Sequence, residues 1–219
     1  MNNGNLLWQS DNCELCLFKF GKLYTNTGVF INQSTKEAFL IDAPYGASQG
    51  LADLISRKFS IKALFITHSH WDHIGDDYLF QQLGAKVYIH RTGREIIENP
   101  EIIKPYTKCG FGLHPCHVER GLEDGDHMEI AGIDIQMSWV PGHSASGMSF
   151  YIAKAGVVFV GDTLFRDAIG RYDFVDGDKK QLIASIKEKI LTLPGDTIVV
   201  PGHGDLTTVK YESENNPFF

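Results

Sequence analysis

The sequence predicts an α/β fold of layered strands and helices, on three observations. Short apolar or alternating runs bounded by Gly, Asn or Asp recur along the 219 residues. Stretches of helical character are interspersed with them, and four of the runs end in His or Asp clusters, the pattern of side chains gathered on one rim of a sheet. A chain of this length buries a substantial core without crosslinks. Its 43% hydrophobic and 21% charged content is ordinary globular usage, so we expect one domain, residues 1–219.

In chain order, the first strand is Cys13–Phe20. It carries Cys13 and Cys16 in the C-x-x-C spacing shared by zinc and redox motifs. Alternation along a strand points them to opposite faces, and we expect buried free thiols. Residues 28–32 and 37–42 read as short strands, and 48–59 as a helix opened by a Ser48 cap. The continuous apolar run 61–66 suits a strand covered on both faces. A helix at 76–83, a strand at 86–89 and a helix at 93–99 follow. The stretch 99–120 is irregular, with Lys104, Tyr106, Lys108, Phe111, His114 and His117, and reads either as a substrate lid or as a partly helical surface insert. Strands return at 127–130, 133–140, 148–152 and 157–160, separated by turns such as Ala131-Gly132 and Ala155-Gly156. A helix at 178–191 and a strand at 197–200 complete the pattern.

A formal net charge of -7 without a Lys or Arg cluster argues against nucleic acid as a partner. Residues 1–10 lack the basic-then-apolar pattern of a secretory signal, and no run is long and apolar enough to cross a bilayer. The expectation is a cytoplasmic protein acting on a small molecule, with no membrane partner; the oligomeric state is not legible.

The chemistry lies at the strand ends. Thr67-His-Ser-His-Trp-Asp-His73 follows the 61–66 strand, Pro141-Gly-His143 and Pro201-Gly-His203 echo each other, and Gly161-Asp162 ends the 157–160 strand. Five of the nine histidines therefore stand where loops converge on one rim. In His68-x-His70 both rings point the same way from extended backbone, while Asp72 and His73, past a turn, face a neighbouring ion. Three histidines with a shared carboxylate, and two histidines with two carboxylates, leave positions open for water and substrate. We expect two divalent ions, zinc as first choice, with iron or manganese compatible with the same donors. His90, His114, His117 and His127 lack such a context.

On His68-Ser-His-Trp-Asp-His73 and the later His, Asp and His residues, the chain resembles the metallo-β-lactamase superfamily over nearly its whole length. The resemblance implies a four-layer αβ/βα sandwich with the metals at one edge. It also implies that His68, His70 and His143 hold one ion, that Asp72, His73 and His203 hold the other, and that Asp162 bridges. Gly161-Asp-Thr-Leu-Phe165, Gly170-Arg-Tyr-Asp-Phe174 and Asn216-Pro-Phe218 resemble the glyoxalase II branch, which hydrolyses S-acylglutathione thioesters, and Arg171 falls where that branch places a basic residue near glutathione. Longer members continue past Asn-Pro-Phe into a helical domain; this sequence stops at Phe219 and resembles a short form.

The expected reaction is attack of a metal-bridging hydroxide on a thioester, with Asp162 setting the ion pair and Asp72 also orienting the nucleophile. Thr67 and Ser69 are candidate orienters of the ligands. The alternatives are a mononuclear-iron persulfide dioxygenase, which shares the Gly-Arg-x-Asp-Phe pattern, and a non-catalytic metal-binding or interaction protein. A β-lactamase, acting outside the cytoplasm, is disfavoured by the lack of an export signal.

Overall fold

Alternating runs joined by tight turns pair first with their chain neighbours, and the N-terminal part does so. The computed structural model describes residues 4–56, 59–107 and 109–219. Among these, β1 (Asn5–Gln9), β2 (Cys13–Phe20), β3 (Thr25–Asn32) and β4 (Glu37–Ile41) form an antiparallel meander. The same sheet continues in parallel through β5 (Ser60–Phe65), β6 (Lys86–His90) and β7 (Val118–Leu122). Parallel steps need crossovers, and these carry the helices. They are α1 (Ala47–Gly50) and α2 (Ala52–Ser56), then α3 (Asp77–Gln82), then α4 (Arg94–Glu98).

The second sheet begins with β8 (His127–Ile130), β9 (Ile133–Trp139), β10 (Met148–Ile152) and β11 (Val157–Gly161). A ribbon of β12 (Leu164–Phe165) and β13 (Ala168–Ile169) follows, then α5 (Lys179–Ser185), β14 (Ile198–Pro201), β15 (Thr207–Thr208) and α6 (Val209–Asn215). β14 joins β11 in parallel, and the spatial order is β15-β14-β11-β10-β9-β8.

Three apolar layers hold four structural ones together. Leu15, Phe30, Phe39 and Phe65 of the first sheet meet Ile135, Met137, Phe150 and Phe159 of the second, and Phe65 packs on Phe150 with centroids 5.3 Å apart. Leu40, Leu64, Val87 and Ile89 on the first sheet's other face lie against Phe80 and Ile97 from the helices and Leu51 from the break between α1 and α2. Val158, Val160 and Val199 on the outer face of the second sheet lie against Leu182, Ile186 and Ile190. The αβ/βα sandwich is thus formed, with both sheets covered on both faces, as the continuous apolar runs predict.

Several expectations need correction. The 48–59 helix is two short ones broken at Leu51, with Gly46 at the N-cap. Ser48 does not cap; its hydroxyl donates to Asp76 Oδ2 at 2.7 Å, and residues 57 and 58 lie outside the described ones. The irregular stretch ends at 117, because β7 starts at Val118, and it holds 3₁₀ turns at Pro100–Ile102 and Lys104–Tyr106 with Pro in their first positions. Lys108 lies outside the described residues. The last long helix is capped by Asp178, whose side chain accepts from the Gln181 N–H, but it passes into a π turn at Ile186–Ile190. Cys13 and Cys16 are free but only half-buried, because β2 lies near the edge of its sheet, with only β1 beyond it. β1, β7, the β12–β13 ribbon, β15 and α6 escape the sequence reading altogether.

Candidate metal centre

The loops after β5, β9, β11 and β14 meet at one edge of the two sheets and bring together all seven residues expected as ligands. Three atom groups lie within 4.8 Å of one another: His68, His70 and His143; His68, His73 and Asp162; Asp72, His73 and His203. His70 Nδ1 stands 3.0 Å from His68 Nε2 and 3.0 Å from His143 Nε2. Across the centre, Asp72 Oδ2 is 3.0 Å from His203 Nε2 and 3.5 Å from His73 Nε2. Asp162 turns one oxygen each way. Its Oδ2 is 3.6 Å from His143 Nε2, and its Oδ1 is 3.5 Å from His73 Nε2 and 3.6 Å from His203 Nε2.

The outer ring nitrogens decide the tautomers. His143 Nδ1–H donates to the Arg171 carbonyl at 2.8 Å and His203 Nδ1–H to the Leu23 carbonyl at 3.0 Å. Thr67 spends its hydroxyl proton on Asp42 Oδ2 at 2.8 Å, so it accepts from His68 Nδ1–H at 3.1 Å. His73 Nδ1–H donates to the same Asp42 oxygen at 2.7 Å. Each of these four rings therefore turns its Nε2 towards the shared centre. His73 Nε2 and Asp162 Oδ1 are buried there without a hydrogen-bond partner. Converging imidazole nitrogens around a buried orphan carboxylate oxygen call for a positive charge among them, and N and O donors of this kind fit two divalent ions.

Electrostatics separates the two sides. Burial, with the neighbouring imidazoles adding, pushes His68 well below the ordinary histidine value, pushes His70 down to about 4, and lowers His143 despite Asp162. These rings are neutral, as ligands must be. Burial also opposes the charged forms on the other side, but there it loses. Asp42 and Asp72 hold His73 well above the usual value, and the Asp72 hydrogen bond with the Asp162 charge raises His203. Against burial, His73 and His203 hold Asp72 low, and His73 and His143 hold Asp162 low. This side of the centre thus favours positive charge, which a bound cation would supply.

Of the two expected orienters, Thr67 holds His68. Ser69 is buried against Ser146 instead, and its N–H and hydroxyl both meet Ser146 Oγ at 3.1 Å, tying the first ligand loop to the His143 loop. The two Pro-Gly-His turns need their glycines. A Cβ on Gly142, at φ 126°, would stand 2.3 Å from the Leu182 nitrogen, and one on Gly202 would stand 2.0 Å from Asp162 Oδ1.

Sequence reasoning missed Asp42, whose signal was an Asp ending a strand just before a turn. It also missed Phe174, whose ring meets those of His70 and His143 at 4.9 and 5.4 Å. Arg171 stands at this rim but is already occupied: it pairs with both Asp173 oxygens at 3.0 Å and lies over the Phe174 ring at 4.5 Å. His90, His114, His117 and His127 join none of the ligand groups formed by described residues. They meet Trp139, Tyr78, Glu98 and Asp134 instead.

Residues 21–203 match the profile of the metallo-beta-lactamase superfamily. Hydroxyacylglutathione hydrolase GloC of Haemophilus influenzae is 33% identical over 192 residues, 84% of this chain and 87% of its own length. The crystal structure of the B3 metallo-beta-lactamase BLEG-1 aligns with a TM-score of 0.81 at 34% identity, covering 93% of this chain and 98% of that one. TTHA1623 in a di-iron-bound form aligns with a TM-score of 0.80 at 33% identity, covering 93% and 99%. No helix among the described residues is long and apolar enough to cross a membrane.

Proposed function

Because the chain belongs to the metallo-beta-lactamase superfamily, we propose that it is a two-metal hydrolase of thioesters of the S-acylglutathione type. The observation that carries the reading is Asp162, which offers Oδ2 to the His143 side and Oδ1 to the His73 and His203 side. A carboxylate that turns one oxygen to each half of the ligand set is suited to bridge a binuclear centre. The likeness to GloC supports the thioester, and the likeness to a di-iron protein supports two ions without choosing between zinc and iron. Zinc remains our first assignment, and manganese is compatible with the same donors.

His68, His70 and His143 would hold one ion, Asp72, His73 and His203 the other, and Asp162 both. Bound there, such ions acidify water toward neutrality and polarise a carbonyl. The chain's own contributions are positional. Asp72, held ionised by His73 and His203, accepts a hydrogen bond from the attacking water and orients it. Phe174 covers the His70 and His143 rings and keeps bulk water off that side. Arg171 exchanges Asp173 for a substrate carboxylate. Thiolate leaves without a strong acid, so none is required of the protein.

Elemental analysis and turnover on the same preparation test the reading. About two ions per chain and hydrolysis of an acylglutathione are expected, with Asp162→Ala folded by circular dichroism but inactive. Arg171→Ala should raise KM for acylglutathione more than it lowers kcat, and should spare a small thioester that lacks the glutathione carboxylates. One ion per chain with oxygen consumed on glutathione persulfide would replace the hydrolase with the dioxygenase. Turnover of a β-lactam but of no thioester would move the substrate assignment.

A further inference from the structure

Beside the ligands stands an aromatic wall that the hydrolytic chemistry does not use. Trp71 lies between His70 and Asp72, Tyr45 on the loop that follows Asp42, and Phe111 on the segment between α4 and β7. The Phe111 ring stacks on Tyr45 with centroids 4.3 Å apart and planes 17° from parallel, and meets Trp71 at 5.8 Å. Stacks of this kind normally belong to a core, yet Tyr45 is 52% exposed and the other two are half-buried. Leu23, 50% exposed, stands on the loop whose carbonyl receives the His203 ring proton.

The segment carrying Phe111 is anchored rather than loose. Lys22 donates to the Cys109 carbonyl at 3.0 Å, the Cys109 thiol donates to the Phe111 carbonyl at 3.0 Å, and the Gln81 side chain holds both the His117 N–H and carbonyl. Phe111 also lines a cleft of about 220 Å³, whose apolar members are Pro100, Cys109 and Leu113 and whose polar ones are Thr107 and the paired Glu101 and Lys104. Apolar surface gathered next to a polar reaction centre is the make-up of a ligand site rather than of ordinary protein surface. The His143 side, by contrast, carries the Arg171 guanidinium.

We propose that Tyr45, Trp71 and Phe111 form a subsite for the apolar group of the substrate. An aromatic or medium-length alkyl acyl group lies along the Phe111 stack and enters the cleft that Phe111 lines, so the chain favours bulky apolar acyl groups over small hydroxyacyl ones. The word acyl rests on the thioester reading; the wall's affinity for an apolar group does not. Phe111 and Tyr45 are specificity residues.

Calorimetric binding of two thioethers that no hydrolase consumes, S-benzylglutathione and S-methylglutathione, separates the two questions. In the metal-loaded parent the benzyl compound should bind about ten-fold tighter. In Phe111→Ala and in Tyr45→Ser, which lie on different loops and so guard against one variant merely misfolding, the ratio should fall towards one. No measurable binding of the benzyl compound by the parent, a parental ratio near one, or a ratio kept by both variants overturns the subsite. Turnover of phenylacetylglutathione and acetylglutathione by the parent is read alongside. If neither is hydrolysed the thioester reading fails, while the thioether ratios still decide the wall.

Discussion

Asp42 accepts from the Thr67 N–H through Oδ1, and from the Thr67 hydroxyl and His73 Nδ1–H through Oδ2, at 2.7, 2.8 and 2.7 Å. It does so from left-handed backbone at φ 62°, a conformation that Asp and Asn tolerate better than most residues. Asp42→Asn therefore keeps the backbone and changes the chemistry. With the amide oxygen retained on the Thr67 N–H, an NH₂ group takes the place of Oδ2 and donates to His73 Nδ1, moving the ring proton to Nε2 where the lone pair is needed. We expect affinity for one of the two ions to fall about 10–100-fold, measured by competition with a chromophoric chelator. Unchanged affinity for both ions would show that Asp42 does not set the His73 tautomer.

At the scale of elements, the short helices are held by side chains rather than by length. Asp76 Oδ2 accepts from the Gly46 N–H, the Ser48 N–H and the Ser48 hydroxyl at 3.1, 2.9 and 2.7 Å, which joins α1 to the start of α3. Asp77 beside it is buried and accepts only from the Tyr78 N–H at 2.6 Å among the side-chain bonds seen. Burial holds its carboxyl well above the usual range; the Tyr78 bond opposes this and the Asp76 charge adds to it. The folded chain thus keeps a proton that the unfolded chain releases near pH 4, so this contribution is complete below about pH 4 and is lost as pH rises through the folded value. Asp77→Asn removes that loss. In chelator-treated protein, urea unfolding should show the variant gaining on the parent by about 1.4 kcal/mol per pH unit above pH 4, up to the folded pKa. Parallel stability profiles would show that Asp77 is ionised in the folded state.

Across the whole molecule, the centre draws its residues from loops of both sheets, so ions bound there would clamp the two halves together. An ion present at 100 times its dissociation constant stabilises by about 2.7 kcal/mol, which for a chain of this size is about 5–10 °C in Tm. Calorimetry should show a loss of that order when the ions are chelated and its recovery on reloading; an unchanged Tm would mean that the sheets do not depend on the centre. The seven His and Asp positions that cluster, and the strands that end in them, β5 and β11 above all, were legible in the sequence. Donor chemistry is confined to a few residue types, and an apolar run reports a strand buried on both faces. Asp42 and the Phe111 wall were not legible, because each acts on a partner remote in sequence, His73 in one case and Tyr45 and Trp71 in the other. The break at Leu51 and the strands β1 and β7 escaped for the same reason, since their stability comes from neighbours that local periodicity does not name. By itself the sequence determined which faces are buried and which donors gather at the strand ends. Only the tertiary structure decided which loops meet, hence which proton each imidazole keeps and what surface a substrate finds beside them, because those contacts depend on chain segments brought together by packing alone.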